Sequence, residues 1–298
     1  MKTKFYIGPA GWSYKDWDGI VYPPKKDKNF DQLKYLAGYF NTIEINSSFY
    51  HPPAMKTLAS WVRRVGENPD FLFSYKLWQG FTHKRNSFPG QHDEVTVKSG
   101  LDVLRDNGKL GATLVQFPWS FKNTVENKAW LEKVLDKFKE YSPVVEVRHQ
   151  SWNEESFFDF LNDYQAGFAN IDQPVIGESI PLTSFTLGKI GYLRLHGRNY
   201  KNWFGKDATV TSRYDYLYDK TDLQQIRKNV ENMMENSSKI FIIYNNHYRG
   251  QAVANGLQTM FFMDNSKINV PQSLLEHYPQ LSSIAVPVDI QHGQTDLF

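Results

Sequence analysis

The chain contains no cysteine. Disulfides, thiolate metal sites and cysteine nucleophiles are therefore excluded. Long apolar runs are missing too. No stretch approaches the roughly 20 residues that a membrane-spanning helix needs, and the charged start, Met1–Tyr6, is followed by no apolar segment of a secretion signal. A cytoplasmic, soluble protein is the expectation. Strong charge of one sign is also absent. The net charge is +2 and the isoelectric point is near 8.4, too mild for a protein that coats nucleic acid by charge alone, although a local basic patch is compatible with it. There is no glycine-rich dinucleotide fingerprint, no P-loop and no HExxH spacing.

Apolar and aromatic residues, by contrast, are plentiful. They make up 41% and 15% of 298 residues, which supports a large core and argues against disorder. Many rings stand beside turn residues rather than in apolar runs, which hints at a ring-lined cleft. Strand-like segments are expected at residues 5–8, 42–46, 71–77, 112–117, 143–149, 167–172, 191–197 and 239–246. Helical spacing recurs near residues 30–40, 55–65, 95–105, 128–139, 154–164, 223–234 and 252–263. The stretch after residue 172, with Pro174, Gly177 and Pro181, reads as irregular, with a short extra strand expected at residues 182–185. Strands alternating with helices imply right-handed βαβ units and a parallel sheet. Eight such units in this length imply a single (β/α)8 TIM barrel over residues 1–286, with residues 287–298 as a C-terminal tail. An open doubly wound sheet is the rival arrangement.

In such a barrel the reaction site lies at the C-terminal ends of the strands. Those ends carry Glu44, Asn46 and Tyr50, then Lys76, Gln116, Glu146, Arg148, Asp172, Arg194, His196, Asn245 and Asn246; the first long loop adds Trp12. Period-two alternation puts Glu44 with Asn46, Ser74 with Lys76, Glu146 with Arg148 and Arg194 with His196 on shared faces. Buried charges of both signs must pair. A purely structural ion network therefore accounts for any one of these residues, but not for polar ends on nearly every strand at one rim.

The blocks GWSYKDW, IEINSSFY, FSYK, VEVRHQSW, YLRLHGR and YNNHYRGQAVANG resemble, in order, those of the YecE-like family, domain of unknown function 72. The resemblance spans about residues 8–257. It implies a TIM barrel and the same rim as the site, and it leaves the reaction open. The family's usual Phe before the paired asparagines is Tyr244 here.

Lys76, Arg148 and Arg194 suit a phosphate or carboxylate, and the neighbouring rings suit a stacked base. The expected site is catalytic Glu44, Glu146 and His196, with Lys76, Arg148, Arg194, Asn46, Asn246, Tyr50 and Trp12 binding an anionic, phosphorylated substrate, nucleotide or DNA among them. Arg198 is a further cation that would reach in from its loop. His196 is the expected proton-transfer group near neutral pH. A divalent-metal phosphoesterase or endonuclease-like hydrolase is a second reading, with His149, His196, His247, Glu44, Glu146 and Asp172 as ligands, although three basic side chains would repel the cation. No cofactor is required by the sequence. A glycoside hydrolase using Glu44 and Glu146 is a third, opposed by the lowering of carboxyl pKa values beside Lys and Arg. A non-catalytic anion- or nucleic-acid-binding module is a fourth.

The tail ends in QTDLF. Gln294, Asp296, Leu297 and Phe298 are similar to the short peptide by which many bacterial repair and replication proteins dock on the sliding clamp, with Thr295 at a position often Leu. Leu297 and Phe298 would fill an apolar groove on the clamp. The competing expectation is that Phe298 packs back on its own barrel.

Overall fold

The computed structural model describes residues 3–203 and 213–287. Eight parallel strands form one sheet: β1 (Lys4–Pro9), β2 (Thr42–Ile45), β3 (Leu72–Lys76), β4 (Leu110–Gln116), β5 (Pro143–Glu146), β6 (Gly167–Asp172), β7 (Ile190–Leu195) and β8 (Lys239–Tyr244). Their order is β1-β8-β7-β6-β5-β4-β3-β2, so the sheet curls round until β1 meets β2. At that seam Ala10 bridges Glu44 and the Gly11 amide donates to the Glu44 carbonyl at 2.9 Å. Lower down, the Asn41 side chain stands in for a strand, accepting from the Ile7 amide at 3.0 Å and donating to the Phe5 carbonyl at 2.7 Å. The result is a TIM-like α/β barrel, and an open doubly wound sheet is excluded.

Helices cover the outside, burying apolar stripes against the barrel, and three of them start at a side-chain cap, from Asp31, Thr124 and Asp219. Lys220–Met234 opens with a capping box between Asp219 and Asp222, and it buries Leu223, Ile226, Val230 and Met233, a three-and-four spacing that keeps them on one face. The β6–β7 connection lacks a helix: residues 173–189 are irregular. The extra strand expected at residues 182–185 is not there. Asn170 replaces it, its side chain donating to the Phe185 carbonyl and accepting from the Phe185 amide and the Thr183 hydroxyl. A side chain has taken the backbone groups that a ladder would have used.

Inside the barrel the lower layers are apolar. Tyr6, Leu72, Ala112, Val144, Tyr192 and Phe241 are all buried there, with Tyr6 stacked on Phe241 at 4.8 Å. Above them the inward positions turn polar. After β8, helix Gln251–Asp264 leads to a small parallel pair, Ile268–Val270 with Ala285–Pro287, which the sequence reading did not anticipate. Gln294, Asp296, Leu297 and Phe298 lie outside the described residues. No helix among the described residues is long and apolar enough to cross a membrane.

Candidate active site at the barrel mouth

The upper interior holds a buried ion network. Arg194 on β7 forks onto Glu44 on β2, with Nη2 2.7 Å from Oε1 and Nε 3.0 Å from Oε2. Its Nη1 reaches Glu146 Oε2 on β5 at 3.1 Å. Arg148, just past β5, donates to Glu146 Oε1 at 2.7 and 3.0 Å. The Tyr192 hydroxyl donates to Glu44 at 3.2 Å and shares a 2.7 Å hydrogen bond with Ser74. His196 Nε2 is 3.3 Å from Glu146, and its Nδ1 is 3.1 Å from the Asn245 amide. Glu44, Glu146, Arg194 and His196 are all buried, so the pairing is what makes the charges tolerable.

Electrostatics set the protonation of this layer. Burial alone would raise the Glu146 carboxyl, but Arg194, Arg148 and His196 hold it well below the usual range. Burial lowers Arg194, and Glu44 and Glu146 more than reverse this, so it stays protonated. Burial, followed by the charge of Arg148, pushes His196 down to about 3. Burial and the neighbouring guanidiniums therefore favour the neutral ring. It serves as a hydrogen-bonding post between Glu146 and Asn245.

Lys76 differs from these. Its Nζ lies 4.2 Å from the centroid of the Phe49 ring, and among the described residues it makes no ion pair or hydrogen bond. Burial lowers its pKa first and Arg194 next; Glu44 and Glu146 pull upward, Arg148 downward, and the balance is about 7.

Above the network lies a cavity of about 550 Å³, within the range of small-molecule sites. Its walls come from the C-terminal ends of the strands and the segments after them, at every strand except β6. Lys76, Arg148, Arg194, Gln116, Asn46 and Asn245 supply polar groups, and Trp12, Tyr14, Tyr50, Trp61, Tyr214 and His247 supply rings. Trp12 meets Trp61 edge-on at 5.0 Å, and Tyr14 stacks on His247 at 4.4 Å. The Asn245 Oδ1 is buried with no partner among the described residues. A smaller cavity, about 270 Å³, lies between the ends of helices Gln32–Ala37 and Met55–Arg64; its charges are already paired, Arg64 with Asp31 and Lys34 with Glu67.

Most of the expected site residues are thus gathered at one mouth, but in two tiers. Lys76, Arg148, Arg194, Asn46, Tyr50 and Trp12 line the cavity, whereas Glu44, Glu146 and His196 are fully buried and do not line it. Asn246 does not reach the mouth: it points outward, donating to the Tyr216 carbonyl and to Asn255. Its neighbour Asn245 takes the inward position. Asp172 and Arg198 pair with each other outside the barrel, with Tyr218 and Asp222 as further partners, so Arg198 does not reach in. His149 binds Glu178 and Ser151. Among the described residues no three of His, Asp and Glu form a metal-sized group, so the metal-hydrolase reading has no ligand set there. Trp61 and Tyr214 were missed. Trp61 sits on helix Met55–Arg64 and Tyr214 in the connection between β7 and β8, and neither carries a local signal of its role.

An eight-stranded parallel barrel with a polar, ring-walled cavity at its C-terminal mouth defines a TIM-barrel protein with a small-molecule-sized site. The profile described as "Protein of unknown function DUF72" matches residues 6–277, and the chain belongs to that family. It is 29% identical over 272 residues to the UPF0759 protein YunF of Bacillus subtilis, covering 87% of this chain and 94% of that one. The crystal structure of a DUF72 family protein from Thermotoga maritima is similar at a TM-score of 0.76 and 30% identity, over 88% of this chain and 99% of that one. Another, from Enterococcus faecalis, gives 0.75 and 25%, over 86% and 94%.

Proposed function

We propose that the protein is an enzyme acting on a small anionic, phosphorylated substrate bound at the barrel mouth. One observation carries this reading. Three cationic side chains, Lys76, Arg148 and Arg194, reach the cavity, while the carboxylates that neutralise two of them, Glu44 and Glu146, lie beneath it and do not line it. The open face is therefore cationic although the layer as a whole is nearly balanced. Glu146 and Glu44 act as positioning residues: all three Arg194 nitrogens are held by Glu44, Glu146 and His196, whereas Arg148 binds Glu146 through Nε and Nη2 and turns Nη1 to phosphate oxygens. The rings of Trp12, Trp61 and Tyr14 offer faces to the remainder of the ligand, and the cavity volume suits a mononucleotide or sugar phosphate rather than a duplex.

The test is thermal unfolding of the full chain with inorganic phosphate, sulfate, sugar phosphates and nucleotides, against sodium chloride at equal ionic strength. A ligand at about 100 times its Kd stabilises by roughly 2.7 kcal/mol. Arg148→Met should remove most of that shift for phosphate. A shift unchanged in Arg148→Met, or none with any anion, overturns the reading.

A further inference from the structure

We infer that Lys76 is a nucleophilic amine, and that the substrate carries an aldehyde or ketone close to its anionic group. The second half of this inference rests on the anion reading above; the first half stands on Lys76 alone. Lys76 ends β3 and its side chain lines the cavity. Glu44 and Glu146 are committed to Arg194 and Arg148, and no carboxylate stands within ion-pair distance of Lys76 among the described residues. An aromatic ring, that of Phe49, is its near neighbour instead.

If the position needed only positive charge, a guanidinium would serve better, since it stays protonated and forks onto phosphate. What a lysine adds is the ability to lose its proton. Desolvation and a neighbouring cation are the two recognised ways to free a lysine amine at neutral pH, and both act here. Burial and the Arg194 guanidinium bring Lys76 to about 7, so roughly half of it is neutral at pH 7, against roughly one part in 3,000 for an ordinary lysine.

The chemistry balances without an oxidant or reductant. The Nζ lone pair attacks the carbonyl carbon, and the carbonyl π electrons move to oxygen to give a carbinolamine. The oxygen then leaves as water, carrying both amine protons, and a C=N bond remains. Phosphate oxygens held beside Arg148 and Arg194 would fix the carbonyl beside Nζ, and the imine, once its nitrogen takes up a proton from solvent, would withdraw electrons from the neighbouring carbon.

Pyridoxal 5′-phosphate serves as the phosphorylated aldehyde probe and pyridoxal as its counterpart without the phosphate. Each is mixed with the full chain at pH 7, the imine is reduced with sodium borohydride, and the modified lysines are mapped by peptide mass spectrometry. The expected result is labelling of Lys76 about tenfold above the average of the other lysines, suppressed by inorganic phosphate and stronger with the phosphorylated probe. Lys76→Arg should lose that adduct yet keep the thermal shift with phosphate. Labelling of Lys76 no higher than that of surface lysines, with the phosphate shift intact, overturns the amine and spares the anion reading. Equal labelling by both probes, unaffected by phosphate, supports the amine and overturns the anion reading.

Discussion

Arg194 and Glu44 face each other across the barrel in a two-point contact, 2.7 and 3.0 Å, with both side chains buried. Water cannot replace either partner. Removing one leaves an uncompensated charge in the interior, so Glu44→Gln and Arg194→Met should each cost about 3–5 kcal/mol. The double variant should cost clearly less than the sum, because the second change relieves the charge stranded by the first. Urea unfolding of the four proteins measures this. Additive costs would mean that the pair contributes nothing beyond its separate parts.

Lys76 should act in the opposite direction. Its folded pKa, about 7, is below the ordinary 10.5. The charged groups bearing on it are Arg194 on β7, Glu44 on β2, and Glu146 and Arg148 on and after β5; His83, half-buried in the segment after β3, feels Lys76 in turn. Below about pH 7 the amine is protonated in both states, and folding bears the full cost of burying the charge. Between the two pKa values the unfolded chain binds more protons, so stability rises with pH; above both, the cost is gone. Lys76→Met should therefore be more stable than the parent by roughly 2–4 kcal/mol near about pH 6.5, with the gap narrowing as pH rises and closing only above about pH 10.5. A gap independent of pH would show that Lys76 keeps an ordinary pKa.

The two asparagines after β8 mark where the sequence could be read and where it could not. Alternation was legible in β5 and β7, where Glu146-Val147-Arg148 and Arg194-Leu195-His196 switch between polar and apolar at each step. It was hidden in β8, because a parallel strand buried on both faces is a continuous apolar run. Ile240 to Tyr244 gives no phase, so the sequence points to Asn246 as the site residue, although it is Asn245 that lines the cavity. Depth was equally hidden. Period two assigns a face but not access, so Glu44, Glu146 and His196 read as cavity residues although they are buried and do not line it. Residues 182–185 looked like a strand because Thr and Phe favour one, and the side chain that captures them, Asn170, is more than ten residues away.

Asn170 gives a prediction of its own. Its side chain makes 2.7 and 2.8 Å hydrogen bonds with the carbonyl and amide of Phe185 and a third, 2.7 Å, with Thr183. Asn170→Ala would strand these groups beneath the one barrel connection that has no helix to hold it. We expect a loss of about 2–3 kcal/mol, together with faster hydrogen exchange at the Phe185 amide than the global change explains. Exchange faster everywhere by the same factor would show that Asn170 supports the whole barrel rather than this connection.

The seam between β1 and β2 supplies the last prediction. A Cβ on Gly8 would lie 1.8 Å from the Thr42 carbonyl oxygen, closer than any side chain can be accommodated, so Gly8 sets how near β1 approaches β2. Asn41 then spans the gap through the Ile7 amide and the Phe5 carbonyl. Gly8→Ala must push the strands apart and should cost more than about 3 kcal/mol. Asn41→Ala should cost less, about 1–2 kcal/mol, because the residue is only half-buried and water can reach the freed groups. The seam ends where Gly11 donates to the Glu44 carbonyl, directly beside the ion network. Opening it should displace Glu44 and weaken the stabilisation by phosphate even in the fraction of Gly8→Ala that stays folded. Calorimetric unfolding with and without phosphate reads both effects. A Gly8→Ala protein as stable as the parent would mean that β1 and β2 do not close on each other at Gly8.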